Sequence, residues 1–402
     1  MTGSDLAARW PLERGVTFLN HGSFGACPRE VLHHQAALRE AMEAQPVRFL
    51  SRELDARLAA AREALAAFVA ADPGDLAFVT NATSGINAVL RSLSLGAGDE
   101  LLTTDHAYNA CRNALAYAAE RAGARVVIAR VPFPVTAADD VVEAVMRAVT
   151  SRTRLALLDH VTSPTALVLP IARLVAELSP RGVDVLVDGA HAPGMLPVDL
   201  TGLGAAYYAG NCHKWLCAPK GAAFLWVRRD RREQVRPLTI SHGASATRPG
   251  VPRFRLEFDW TGTSDPTAWM AVPKAIEHVG SLLSGGWPAV MARNRALALD
   301  ARRLLCEALG AAPPCPEAMV GSLACVALPD GLTRDIGWRR PDPIQRRLYD
   351  GWGIEVPVMS WPAPPKRLIR VSCHLYNDRG DYARLAQALD KELAAERRSP
   401  GA

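Results

Sequence analysis

Residues 183–227 constrain the fold of this chain more than any other stretch. Val183 to Val187 is a β-branched run bounded by turn residues, which reads as a buried parallel strand. It ends in Asp188, with His191 just beyond. A second short apolar run, Ala205 to Ala209, leads to Gly210, Asn211, Cys212, His213 and Lys214, and Ala222 to Val227 supplies a further strand. An acid at a strand's C-terminal end, with a lysine in a nearby loop, suits the ligand-binding edge of an α/β sheet.

The stretches before this one carry the same rhythm. Leu76 to Val79, Glu100 to Thr104, Arg125 to Val131 and Leu155 to His160 read as strands. The residues 112–122, Ala137 to Thr150 and Leu169 to Ser179 read as the helices between them. Such alternation predicts a largely parallel sheet with right-handed crossovers, whose ligands gather at the strands' C-terminal ends. Thr80, Asp105, Asp159 and Asp188 all fall there. The loop Thr80 to Gly85 precedes a helix, so Thr83 or Ser84 serves either as an ordinary N-cap or as part of an anion cradle. No Walker lysine follows, which excludes a nucleotide P-loop.

Lysine is scarce: only five of the 46 basic residues are lysines, at 214, 220, 274, 366 and 391. A chain that uses arginine almost everywhere else keeps an amine at 214, and an amine is what a Schiff base needs. Pyridoxal 5'-phosphate (PLP) requires such a lysine and a carboxylate for its ring nitrogen. The segment DGAHAPG from Asp188 and the triplet His213-Lys214-Trp215 resemble the PLP-dependent class V aminotransferases of fold type I, nearest the isopenicillin N epimerase-like and C–S lyase subgroup. The likeness runs from Asn20 to about Leu389.

That resemblance implies an α/β fold, with a seven-stranded, mostly parallel sheet in a three-layer α/β/α large domain and a smaller α+β C-terminal domain. The expected division is an N-terminal segment 1–30, a PLP-binding domain 31–285 and a small domain 286–402. It implies that Lys214 carries the cofactor, Asp188 meets the pyridinium and His191 meets the phenolic oxygen. Thr83, Ser84, Asn211 and His213 would bind the cofactor, and Thr263 would reach the phosphate of a partner subunit in a homodimer with shared sites. Either His106 or Tyr108 would stack on the ring; the register leaves both open. Asn20 and His21, in the segment TFLNHGSFGACP, would border the substrate pocket.

In the C-terminal part, strands are expected near 321–328, 353–358 and 367–373, and helices over 342–351 and 378–396. Thr267 to Leu283 reads as one helix, residues 228–260 as an irregular lid, and the tail from Ala394 as frayed. Arg370 shares one face of its strand with Leu368 and Ser372. A cation on such a face wants a carboxylate, and in the resembling family this arginine holds the substrate's.

Composition narrows the function classes. A net charge of +5 without a basic block interleaved with aromatics argues against nucleic acid. No apolar run approaches the ~18 residues of a membrane span. Eight scattered cysteines without a C-x-x-C pair indicate neither zinc nor a disulfide framework, and a cytoplasmic setting is expected. The resemblance implies a small-molecule amino-acid substrate, with Lys214 as the base at Cα. The leading expectation is C–S β-elimination from an S-substituted cysteine of secondary metabolism, assisted by Tyr108. Epimerisation is the alternative, with His21 or Tyr108 as second acid; decarboxylating oxidative deamination and transamination also branch from this chemistry. A catalytically idle binding protein is the reading from another class, and the presence of Lys214, Asp188 and Arg370 argues against it. The chain also resembles, more distantly, the cysteine desulfurases, which need a nucleophilic cysteine on the loop before the arginine strand; Glu355 to Lys366 holds no cysteine, which argues against persulfide chemistry.

Overall fold

The structure, a computed structural model, describes residues 6–332 and 340–398. A two-residue strand, β1 (Thr17–Phe18), comes first. The apolar runs then form β2 (Leu76–Val79), β3 (Glu100–Thr104), β4 (Arg125–Ala129), β5 (Thr153–Asp159), β6 (Asp184–Gly189), β7 (Tyr207–Asn211) and β8 (Ala223–Val227). These last seven make one sheet in the order β2-β8-β7-β6-β5-β3-β4. Every pairing in it is parallel except those of β8, which runs antiparallel to both neighbours.

Helices cover both faces, because strands this apolar must be buried on both sides. Ala82–Ser92 and Asn109–Ala122 share a core with Ala77, Leu101 and Leu186, whereas Leu54–Phe68, Ala138–Arg147 and Ile171–Leu178 share one with Phe78, Leu102 and Val187. The helix Ile171–Leu178 shows why. Ile171, Leu174, Val175 and Leu178 recur at the spacing of one helix face and are all buried, each contributing about 1.5–3 kcal/mol. The result is the mixed α/β, three-layer architecture expected from the strand–helix alternation.

A second sheet follows, from β9 (Leu323–Leu328), β11 (Val358–Ser360) and β12 (Arg367–Ser372), antiparallel in the order β11-β12-β9. The helices Gly286–Leu309 and Arg379–Arg398 supply Leu305, Leu385 and Leu389 to its core. Between β9 and β11, the short β10 (Ile354–Glu355) pairs in parallel with β1. That pairing moors the N-terminal segment beside the second sheet.

Five expectations need correction. The strand near 353–358 is two strands, because Pro357 lacks the N–H that a continuous ladder requires. The single helix over Thr267 to Leu283 is Thr267–Met270 and Val272–Ser281, restarting with a proline in its first turn. Residues 228–260 contain the helix Arg253–Asp259, which buries Phe254 and Phe258. The strand placed at Ala205 to Ala209 is shifted to Tyr207–Asn211, which brings Asn211 to its C-terminal end. The last helix continues to Arg398 past the tail's expected fraying point, and residues 399–402 lie outside the described ones.

Gly25 joins the N-terminal segment to the loop that bears Lys214. Its φ is 72°, and a Cβ there would lie 1.9 Å from the His213 carbonyl oxygen, a backbone atom with no freedom to yield. Gly25→Ala is therefore expected to destabilise the fold by about 3 kcal/mol. Urea unfolding would show it as a lowered midpoint; an unchanged midpoint would contradict this close packing.

Candidate active site

The C-terminal ends of the parallel strands open into a cavity of about 520 Å³. Its wall includes Thr83, Ser84, Tyr108, Asp188, His191, Asn211, His213 and Lys214, so eight of the residues singled out in the sequence meet at one place. Asn81, Asp159, Ser163 and Ser23 complete the polar part of the lining.

One end of the cavity is the N-terminus of the helix Ala82–Ser92. Asn81, rather than Thr83 or Ser84, is its N-cap, accepting from Ser84 N at 2.8 Å. Asn211 Oδ1 accepts from Ala82 N at 2.8 Å. Thr83 and Ser84 are thereby left in the first turn, at the end where the helix dipole favours an anion. His213 Nδ1 lies 3.0 Å from the Ala222 carbonyl oxygen, to which it donates. Burial lowers its pKa to about 4, so Nε2 of the neutral ring is an acceptor and becomes a donor to an anion only on protonation.

Asp188 forms part of the floor. Its Oδ1 accepts from Ala190 N at 3.0 Å and its Oδ2 from Cys111 Sγ at 3.1 Å, while burial raises its pKa. His191 stands beside it. The Trp215 indole N–H can only donate, and it reaches His191 Nδ1 at 3.4 Å. The neutral ring therefore carries its hydrogen on Nε2, 3.1 Å from Lys214 Nζ. Burial holds His191 well below the usual histidine range, with Lys214 adding to the effect. Burial and the charge of Arg370 lower the Lys214 pKa to about 8. A lysine so placed is a competent nucleophile and base near neutral pH.

Arg370, on β12, is not itself part of the cavity lining but bonds to the lining residues Ser163 and Ser23, and so brings the second sheet to the site. Its Nη1 donates to Ser163 O at 2.7 Å and to Ser163 Oγ at 3.2 Å, and Nη2 donates to Ser23 Oγ at 3.1 Å. Among the described residues no carboxylate pairs with it, and its buried Nε has no acceptor. Removing the partner of a buried charge costs about 3–5 kcal/mol, and burial correspondingly lowers this guanidinium's pKa to about 10. The arrangement leaves the cation ready for a carboxylate that the fold does not provide.

Several sequence-based candidates lie elsewhere. His106 is 1% exposed, bonded through Nδ1 to Thr165 Oγ1 at 2.7 Å and packed against Trp361 and Phe133. It is absent from the cavity wall, whereas Tyr108, two residues on, is 45% exposed and lines it. His21 is fully buried behind the lysine loop. Its Nε2 bonds to the Lys214 carbonyl at 3.0 Å, its Nδ1 to Tyr376 Oη at 2.8 Å, and its ring stacks on His374. Burial lowers its pKa to about 3. With Cys217 and His374 it forms a cluster whose ligand-capable atoms lie within 4.8 Å, but both of its nitrogens already have protein partners. Asn20 does not line the cavity either; it bonds to Glu355 and to Ser23 Oγ, and so positions Ser23 under Arg370. Thr263 is exposed and apart from the cavity.

Sequence reasoning passed over Cys111, Ser23 and Trp215 as site residues, and reached Ser163 only as part of the segment His160 to Thr165 expected on the cofactor face. Asp159 was visible as a strand end, and Trp215 as a neighbour of the lysine. Nothing local to Ser23 or Ser163 distinguishes them, because their role comes from a strand some 200 or more positions away in the chain.

The donor set suits PLP: an amine of lowered pKa, a buried carboxylate, a helix N-terminus for phosphate, and an unpaired guanidinium. Comparison with known proteins agrees. The family model for aminotransferase class-V matches residues 24–313. The isopenicillin N epimerase of Amycolatopsis lactamdurans is 40% identical, covering 95% of this chain and 96% of its own. The putative L-cysteine desulfhydrase 1 of Oryza sativa subsp. japonica is 33% identical, covering 95% and 84%. Among solved structures, a complex of the cystine C–S lyase C-DES with its product cysteine persulfide superimposes with a TM-score of 0.78 at 23% identity, over 94% of this chain and 97% of that one. The chain belongs to the aminotransferase class-V family of PLP-dependent enzymes.

Proposed function

We propose that the chain cleaves the C–S bond of an S-substituted cysteine by β-elimination. The observation that supports this most is the buried Arg370 without an acid partner among the described residues, in the same site as the low-pKa Lys214. Together they select an α-amino acid by its carboxylate and hold a base against its Cα.

Bound PLP would withdraw electrons from the Cα of an amino acid attached to it. The protein's own part is to position and to move protons. Lys214 Nζ would hold the cofactor and take the Cα proton. Asp188 would accept from the ring nitrogen and His191 Nε2 would donate to the phenolic oxygen. Thr83, Ser84, Asn211 and His213 would bind the phosphate side. Arg370 would exchange its bonds to Ser163 and Ser23 for a two-pronged grip on the substrate carboxylate. Tyr108 would lie against the ring and protonate the leaving sulfur, a task for which a phenol kept neutral by partial burial is suited. Elimination needs no second acid on the opposite face, and His21 is too enclosed to be one.

Epimerisation is the second reading, favoured by the isopenicillin N epimerases of two organisms at 40% and 36% identity over nearly the whole chain. Tyr108 would then supply the second proton. The rest of the setting is part of the same proposal. It comprises a cytoplasmic homodimer whose Thr263 reaches the partner's site, a role in secondary metabolism, and a large domain 31–285 and small domain 286–402 flanking the site. No helix among the described residues is long and apolar enough to cross a membrane.

Three measurements check this reading. Incubated with S-alkyl cysteines, the enzyme should release pyruvate and ammonia; inversion with solvent deuterium at Cα and no pyruvate would favour epimerisation. Arg370→Ala removes two charge-assisted hydrogen bonds of about 1.5 kcal/mol or more each, so kcat/KM should fall about 10²-fold. An unchanged KM would contradict the carboxylate grip. Separately, covalent attachment of PLP to the cofactor-free protein should quicken as pH rises and level off above about 8, the Lys214 value. A rate still climbing toward the ordinary lysine value would show that the amine is not perturbed.

A further inference from the structure

Asp159 and Asp188 are in-register partners on the parallel strands β5 and β6. Paired residues on neighbouring strands send their side chains to the same face, about 5 Å apart at the backbone. Both side chains line the cavity. They differ in their partners. Asp188 has a donor on each oxygen, Ala190 N and Cys111 Sγ. Asp159 takes a bond from the Tyr108 backbone, but its Oδ2 has no partner although the residue is only 2% exposed. An ionised carboxylate stripped of water and left with a bare oxygen is costly. Two adjacent buried carboxylates do not both ionise. The donors around Asp188 favour the charge there, which leaves the proton on Asp159 and turns its bare Oδ2 into a donor facing the cavity.

We propose that Asp159 and Asp188 form a single two-carboxylate receptor for a protonatable ring nitrogen, with Asp159 holding the pair's proton when no ligand is bound. The proposal rests on the reading of the cavity as a PLP site. When a ring nitrogen binds, the Asp159 O–H proton passes to it: the O–H bond breaks, an N–H bond forms, and Asp159 becomes a second carboxylate facing the new cation. Asp188 alone would be a weaker base, because its neighbour raises its proton affinity. The groups facing the pair are Lys214, Cys111, Tyr208 and the Tyr108 backbone, and only Lys214 among them brings positive charge.

The test compares binding of PLP and of its 1-deaza analogue, in which C–H replaces the ring nitrogen, to the cofactor-free protein and to Asp159→Asn. The wild type should prefer PLP, and Asp159→Asn should shrink that preference about tenfold, the equivalent of one pKa unit. An undiminished preference in the variant overturns the proposal and leaves the PLP reading standing. Failure of the wild type to bind PLP at all overturns both. Carbon-13 NMR of the wild-type carboxyls, independent of the variant's folding, should show one of the pair keeping its proton above the ordinary carboxylate range. Two ordinary titrations would overturn the proposal.

Discussion

The parallel register of β5, β6 and β7 is the constraint on which the site depends. It sets Asp159 level with Asp188, and Gly189 level with Gly210, so that Asp188 and Asn211 end their strands at the same edge. A slip of one residue would turn the carboxylates to the opposite face of the sheet. Packing enforces the register as firmly as the ladder does. At Gly189 a Cβ would lie 2.0 Å from the Tyr208 ring, and at Gly210 one would lie 2.5 Å from Phe224. Adjacent to the Asp188 carboxylate and the lysine loop, the sheet has room only for glycine.

The second constraint is electrostatic. The fold buries Arg370 without an acid partner among the described residues, Asp188 beside a second carboxylate, and Lys214 near a guanidinium. Each is unfavourable by itself, and a ligand bearing phosphate, a protonated ring nitrogen and a carboxylate relieves them together. Two separate sheets must meet for this to happen. The β1–β10 pairing and the close approach at Gly25 hold the N-terminal segment between them, where Ser23 touches Arg370. The enclosed His21 belongs to this joint, fastening the backbone of Lys214 instead of touching substrate.

The central sheet was legible in the sequence because strands buried on both faces are continuous apolar runs, and their ends carry the polar residues that line the cavity. Asp188, His191, Lys214 and the Thr83-Ser84 turn follow directly from that pattern. His21 and His106 did not: a histidine at a strand or turn end looks the same whether it faces a cavity or a core, and long-range partners such as Tyr376 and Thr165 decide which. Asn81, two residues before Thr83, displaced Thr83 and Ser84 as the helix cap because its side chain accepts from Ser84 N. Ser23 and Ser163 became site residues only through Arg370, a contact spanning 347 and 207 positions of sequence that no local pattern records. Proline at 357 and at 273 split elements whose apolar periodicity alone reads as continuous.

The site turns on Lys214 as the residue to which the cofactor would attach. Borohydride reduction of the PLP-loaded protein, followed by digestion and mass spectrometry, tests it most directly. The pyridoxyl mass should appear on the peptide bearing Lys214 and vanish in Lys214→Ala. Its appearance on Lys220, six residues further along the same loop, or on no peptide at all, would contradict the assignment of the site.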